Sequence, residues 1–188
     1  SAQEAVRVRA LHLSAETPEL LADRIQLAEI LIDDRQFAAA DSTLDLMDNA
    51  IAGAATDLRA MSAGILNLRG RIASESESDL VAADSLFVES VRLLREQDPE
   101  APLLPIYLNN AAVNQMVMQD YERAGATYNE SLELTGRMFG EDHPEYAVIL
   151  ENLGGIAFRK GEYEDCLANL KRVRDIRAAK TGPDHPTV

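Results

Sequence analysis

This sequence predicts an all-α protein, a solenoid of stacked helix-turn-helix hairpins, and three observations carry that prediction. The string Asp142-His143-Pro144 returns as Asp184-His185-Pro186, 42 positions later. A column of small residues, Ala28, Gly70, Ala112 and Gly154, keeps the same spacing without a gap. A second column, Ala40, Ala82, Ala124 and Cys166, does so too. Self-similarity at such a period marks a repeat architecture, in which each unit buries its apolar face only by stacking on its neighbours. The 188 residues are 46% hydrophobic and 27% charged, enough apolar chain for a packed core.

The units fall at residues 17–58, 59–101, 102–143 and 144–185, with a partial helix at 1–16, and together form a single array. Pro18, Pro102 and Pro144 stand in register at unit starts, while the second unit has Ala60 in that column. Two further columns run Phe37, Tyr121, Tyr163 and Leu44, Leu86, Tyr128, Leu170. The last unit shows why each piece is a hairpin. Leu150, Leu153, Gly154 and Ala157 share one helical face at offsets of three and four. Lys160-Gly161-Glu162 then supplies a turn, with glycine in the left-handed position. A second amphipathic stretch carries Tyr163, Cys166, Leu167, Leu170, Val173 and Ile176. Pro144 suits a first helical turn, where its missing N–H is no loss, and Asp142 is the expected cap. The second unit departs twice. Arg69 stands where an apolar residue is expected, and one residue is gained within 74–78, so that Asp84 aligns with Asp41 at 43.

A hairpin with small residues at its eighth and twentieth positions (Gly154 and Cys166), an aromatic at the seventeenth (Tyr163) and a large apolar residue at the twenty-fourth (Leu170) resembles the tetratricopeptide repeat. That unit is usually about 34 residues. The longer period, with Gly140-Glu141-Asp142-His143-Pro144 and Gly182-Pro183-Asp184-His185-Pro186 as linkers, is similar to the kinesin light chain-like subclass. The likeness spans roughly residues 17–188 and is strongest in the last two units. The eleventh position departs from the usual tyrosine, with Leu31, Ala73, Gln115 and Ala157. The resemblance implies a right-handed superhelix whose concave groove is lined by first helices and receives a peptide or protein segment.

Positions two, six, nine and thirteen of a first helix share the face opposite its packing side. They read Ala22, Gln26, Glu29 and Asp33, then Gly64, Leu68, Arg71 and Glu75. The later units give Ile106, Asn110, Val113 and Val117, then Val148, Asn152, Gly155 and Arg159. In the family, an asparagine at the sixth position grips a bound peptide backbone, since an amide offers both donor and acceptor. Gln26, Asn110 and Asn152 match that column, and Asn67 substitutes for Leu68 if its helix is slipped by one. The groove begins acidic at Glu29 and Asp33, turns apolar at Ile106, Val113 and Val117, and ends at Arg159. Arg71 and Arg159 are too few cations for the family's clamp on C-terminal carboxylates. A ligand with an apolar anchor and some basic character fits better.

The remaining features narrow the function. A net charge of −14 repels phosphate backbones, so nucleic acid is not an expected partner. No run of about eighteen apolar residues is present to insert in a membrane. One cysteine forms no internal disulfide, and Cys166 sits in a slot filled elsewhere by alanine, as a packed side chain. Glu141, Asp142, His143 and Glu145 are metal-ligand types, but their repetition is accounted for by helix entry, so no metal and no cofactor is expected. His12 stands alone as a surface residue. The last hairpin, 159–180, holds seven basic residues against four acidic. Lys171, Arg172, Arg174 and Arg177 read as a solvated face before they read as a dock for an acidic partner. No phosphate loop or nucleophile constellation appears, so catalysis is not expected.

The expectation is therefore a non-enzymatic interaction module. The other reading is a regulatory or sensory segment of a larger bacterial-style signalling protein, such as a kinase or transcription regulator. Residues 4–13 resemble the closing helix of an earlier unit, and Pro186-Thr187-Val188 opens another, as in a fragment of a longer protein. Exposed solenoid ends would let two copies pair as a homodimer. Without a signal-peptide pattern at Ser1-Ala2-Gln3-Glu4, the expected compartment is the cytoplasm.

Overall fold

The computed structural model describes residues 18–52, 59–76 and 79–181. Residues 4–13, with His12, and the linker at 182–186 lie outside them. Among the described residues there are eight helices and no strand: α1 Pro18–Asp33, α2 Phe37–Ala52, α3 Arg59–Glu75, α4 Leu80–Gln97, α5 Leu104–Val117, α6 Tyr121–Phe139, α7 Pro144–Lys160 and α8 Tyr163–Thr181. None of them is long and apolar enough to cross a membrane. The helices gather into two compact units that meet in sequence at Gln97 and Asp98.

Three hairpin turns share one device. Arg35, Gln119 and Gly161 stand in register, and all three have positive φ, at 57°, 63° and 81°. Around each, the same backbone pair recurs. The N–H of Arg35 reaches Ile32 and that of Gln36 reaches Leu31; Gln119 and Asp120 reach Met116 and Gln115; Gly161 and Glu162 reach Phe158 and Ala157. These bonds close the last carbonyls of each first helix in a Schellman arrangement. Of these three turns, the last has glycine at the left-handed position, where a side chain costs about 1–2 kcal/mol. The turn is thus set by backbone pairing, and glycine is not required for it.

Two expected details change. The cap of α7 is His143, whose Nδ1 accepts the N–H of Glu145 at 3.2 Å, and not Asp142. Asp142 instead meets Arg172 of α8 at 3.2 Å. Pro144 does open α7, but Pro102 lies in the turn before α5, whose first turn holds Pro105.

In the first unit, Ala28, Leu31 and Ile32 of α1, Leu44 and Met47 of α2, and Ile65 and Leu68 of α3 form one core. The extra residue within 74–78 shifts α4 by one position. Ala83 and Phe87 are buried there, whereas Ala82 and Leu86, the residues in strict 42-residue register, are only half-buried. In the second unit, Ala112, Ala124, Tyr128, Ile149 and Ile156 knit α5, α6 and α7. Ala147 and Leu150 then pack on Val173 and Ile176 of α8. A buried serine recurs between the helices of the middle hairpins: Ser90 donates to the Ala63 carbonyl and Ser131 to that of Pro105, both at 2.7 Å.

The α8 face is less covered than the sequence implies. Tyr163, Leu167 and Leu170 are exposed, while Val173 and Ile176 are buried. In the third hairpin the next first helix covers the residue equivalent to Leu170, as Ile149 and Ile156 pack on Tyr128.

Candidate ligand-binding faces

The expected groove residues lie on the two units separately. In the first unit, Gln26, Glu29 and Asp33 are exposed along α1. Arg71 of α3 lies across from them and is already engaged. Its guanidinium donates to Asp33 at 2.8 Å and to Glu75 at 3.1 Å. Burial disfavours the Arg71 charge, but these two carboxylates more than offset that and hold its proton affinity above the ordinary arginine range. Leu68 is part of the core, and Asn67 is 3% exposed, so α3 has not slipped to present an amide to solvent. Asn67 is therefore withdrawn from the candidate face. Among the candidate positions the first unit presents two acids, Glu29 and Asp33, and one cation, Arg71, tied to Asp33 and Glu75.

In the second unit the same face is apolar and amidic. Ile106 and Val117 of α5 and Val148 of α7 are among the exposed large hydrophobic residues. Between them lie Asn110 and Asn152, both half-buried, and Val113, which also packs against the core below. The Asn152 amide donates to Asn109 Oδ1 at 3.3 Å, which ties α7 to α5. Arg159 is exposed at the end of α7. A Cβ added at Gly155 would meet nothing within 4 Å, so backbone can be approached closely at the centre of this face. Its chemistry suits hydrogen bonds to a peptide backbone and contact with apolar side chains.

Gln115, at the position where the family has tyrosine, is buried and accepts the hydroxyl of Thr127 at 2.9 Å. Cys166 is half-buried. Glu141 and Asp142 both pair with Arg172, Arg177 reaches Glu151, and Arg174 meets Asp175, so these charges serve helix entry and the α8 surface.

A concavity that the sequence did not announce lies on a different face of α7. It is a cleft of about 550 Å³ between α6 and α8. Leu150, Leu153, Ile156 and Ala157 of α7 and Leu132 of α6 make its apolar lining. Gly125 and Ala126 on one wall and Ala168 on the other keep it open, and Asn129 and Asn169 contribute amides. Tyr121, Glu122, Lys160, Glu162 and Asp165 complete it. Lys160 reaches Glu122 at 3.2 Å and Glu162 at 3.1 Å, one acid from each wall. The hydrogen bonds it donates to Glu162 and then Glu122 raise its proton affinity. The small wall residues in the 42-residue register were the available clue, since Ala126 and Ala168 are equivalent.

Residues 102–179 match the tetratricopeptide repeat family. No curated protein matches the chain. Among solved structures, BtubC (BKLC) from P. vanneervenii is similar over 97% of this chain and 72% of its own, with a TM-score of 0.79 and 19% identity. A putative kinesin light chain of Podosopora anserina with nearly identical TPR-like repeats is similar over 96% of this chain and 86% of its own, with a TM-score of 0.67 and 16% identity. Identities this low bear on the fold alone, an all-α helical repeat solenoid.

Proposed function

We propose that the chain, whose residues 102–179 match the tetratricopeptide repeat family, is a non-enzymatic interaction module whose first-helix face holds a peptide or protein segment. The fold itself is that of a protein-interaction scaffold. The finer reading rests chiefly on one observation: α5 and α7 leave Ile106, Val117 and Val148 open to solvent beside Asn110 and Asn152, around a glycine with free space above it. A helix face that merely met water would be dominated by charge, and this one carries Arg159 alone. Apolar anchors supply most of the affinity in such a face, and the two amides set the register of the bound backbone. On the first unit, Glu29 and Asp33 favour basic residues in whatever lies along α1. Nucleic acid is disfavoured by the charge of −14.

The reading is tested with peptides selected by display against the 188-residue chain and then measured by fluorescence polarisation. Asn110→Ala with Asn152→Ala, and separately Gly155→Leu, should each weaken the selected peptides by at least about tenfold. Helicity and melting temperature should stay close to wild type. Unchanged affinity in both variants would remove the first-helix face as the site.

A further inference from the structure

We propose that the cleft between α6 and α8 is a second docking site, which takes a segment carrying an apolar side chain next to a lysine or arginine. Its volume of about 550 Å³ lies within the range of roughly 300–1,000 Å³ common to ligand-binding clefts. Its apolar lining offers Leu150, Leu153 and Ile156 to an anchor. Three acids, Glu122, Glu162 and Asp165, face one cation, Lys160, so the rim is acidic. That imbalance favours a cationic occupant.

The corresponding place in the first unit is filled by the chain itself. Residue 153 of α7 corresponds to Arg69 of α3, two repeats earlier. The Arg69 guanidinium lies against α2, where it meets Asp48 at 2.5 Å, Asp45 at 2.7 Å and Asp41 at 3.5 Å. Those three aspartates are the equivalents of Leu132, Asn129 and Gly125, all of which line the cleft. In the first unit, then, a cation from the chain's own helix occupies the place that leucine leaves open in the second. At the rim of the cleft the acids already hold one ammonium, that of Lys160 between Glu122 and Glu162. The occupant is a basic, apolar segment from a partner protein. It lies on a different face from the first-helix site, so neither reading depends on the other.

The probe is a set of fluorescein-labelled peptides of about twelve residues, each with a central Leu or Phe flanked by Lys or Arg, and a matched set flanked by Glu or Asp. A Cβ at Gly125 meets nothing within 4 Å, so Gly125→Leu fills the cleft while leaving its neighbours in place. Members of the basic set should bind the wild-type chain and lose at least about tenfold in Gly125→Leu and in Glu122→Gln with Asp165→Asn, but not in Gly155→Leu. Their binding should also weaken as salt rises from about 0.05 to 0.5 M. The proposal is overturned if no basic peptide binds, if Gly125→Leu leaves binding unchanged, or if the acidic set binds equally well. Peptides lost in Gly155→Leu alone would place all binding on the first-helix face.

Discussion

The two units are built on one backbone plan and use it differently. In the first, α3 sends Arg69 against Asp41, Asp45 and Asp48 of α2. Burial works against the charge on Arg69, and the hydrogen bond to Asp48 and the field of the three carboxylates overcome it. In the second, Leu153 stands at the same position, opposite Gly125, Asn129 and Leu132, and a cleft with an apolar floor and an acidic rim opens. The turn geometry and the small-residue columns hold the helices together in both units. The side chains over this part of the second-helix wall are then free to diverge, toward an internal ion cluster or an open surface. In a repeat protein, conserved architecture and specialised chemistry occupy separate positions of the same hairpin.

The largest effect expected is at a pair of equivalent glycines. A Cβ at Gly70 would lie 2.8 Å from the ring of Phe87, whose side chain is 1% exposed and has no room to turn away. At Gly154 the nearest atoms are 3.5 Å and more distant, an ordinary contact. Gly70→Ala should destabilise the first unit by about 2–3 kcal/mol. Gly154→Ala should be neutral or stabilise by up to about 1 kcal/mol through helix propensity. Urea unfolding followed by circular dichroism separates the two. Adding Phe87→Leu to Gly70→Ala should recover much of the loss, because leucine fills the equivalent place at Leu44. Equal tolerance at both glycines would mean that Phe87 does not set the spacing of α3 and α4.

Most of this fold was legible because repetition converts single residues into columns. Gly70 was identified by its register with Ala28, Ala112 and Gly154, and Gly161 by its place in a turn. The reading failed where spacing slipped. Strict periodicity pointed to Ala82 and Leu86, while the inserted residue buries Ala83 and Phe87. The serines that bind first-helix carbonyls escaped notice for the same reason. Ser90 and Ser131 are 41 apart although Ala63 and Pro105 are 42 apart. The candidate face was legible as a list of helix positions, but partner choice was not. Nothing local announces that Arg71 is taken by Asp33, 38 positions away, or that Asn152 bonds Asn109. The cleft was hidden because its walls are defined by the absence of side chains at Gly125, Ala126 and Ala168.

Exchanging the two floor residues sharpens the comparison directly. Leu153→Arg places a guanidinium opposite Gly125, Asn129 and Leu132, none of which is acidic, and removes apolar packing against the second core. A loss of about 1–2 kcal/mol is expected. Arg69→Leu gives up ion pairs whose acids are largely solvent-exposed, which should cost less than about 1 kcal/mol and less still at high salt. Thermal melts across a salt series would show the asymmetry. Equal and salt-independent losses would mean that the three aspartates do not hold Arg69, and the parallel between the units would fail.

The smallest effect concerns a single hydroxyl. At equivalent positions the first unit has Leu44 and Phe87, both apolar and buried, and the second has Tyr128, fully buried, whose hydroxyl has no hydrogen-bond partner. An unmet buried hydroxyl costs about 1 kcal/mol or more, so Tyr128→Phe should stabilise the second unit by about that amount. Burial also pushes the Tyr128 phenol well above its ordinary range. The neutral phenol is therefore favoured by folding. Its contribution is fully present below the usual tyrosine pKa of about 10 and is lost as pH climbs toward the raised folded value. Above about pH 10 the wild-type chain should lose stability faster than Tyr128→Phe, and the gap between their urea midpoints should widen with each step in pH. A constant gap would mean that the phenol ionises as readily in the folded chain as in the unfolded one. Its burial between α5 and α7 would then be looser than the packing of Leu44 and Phe87 in the first unit.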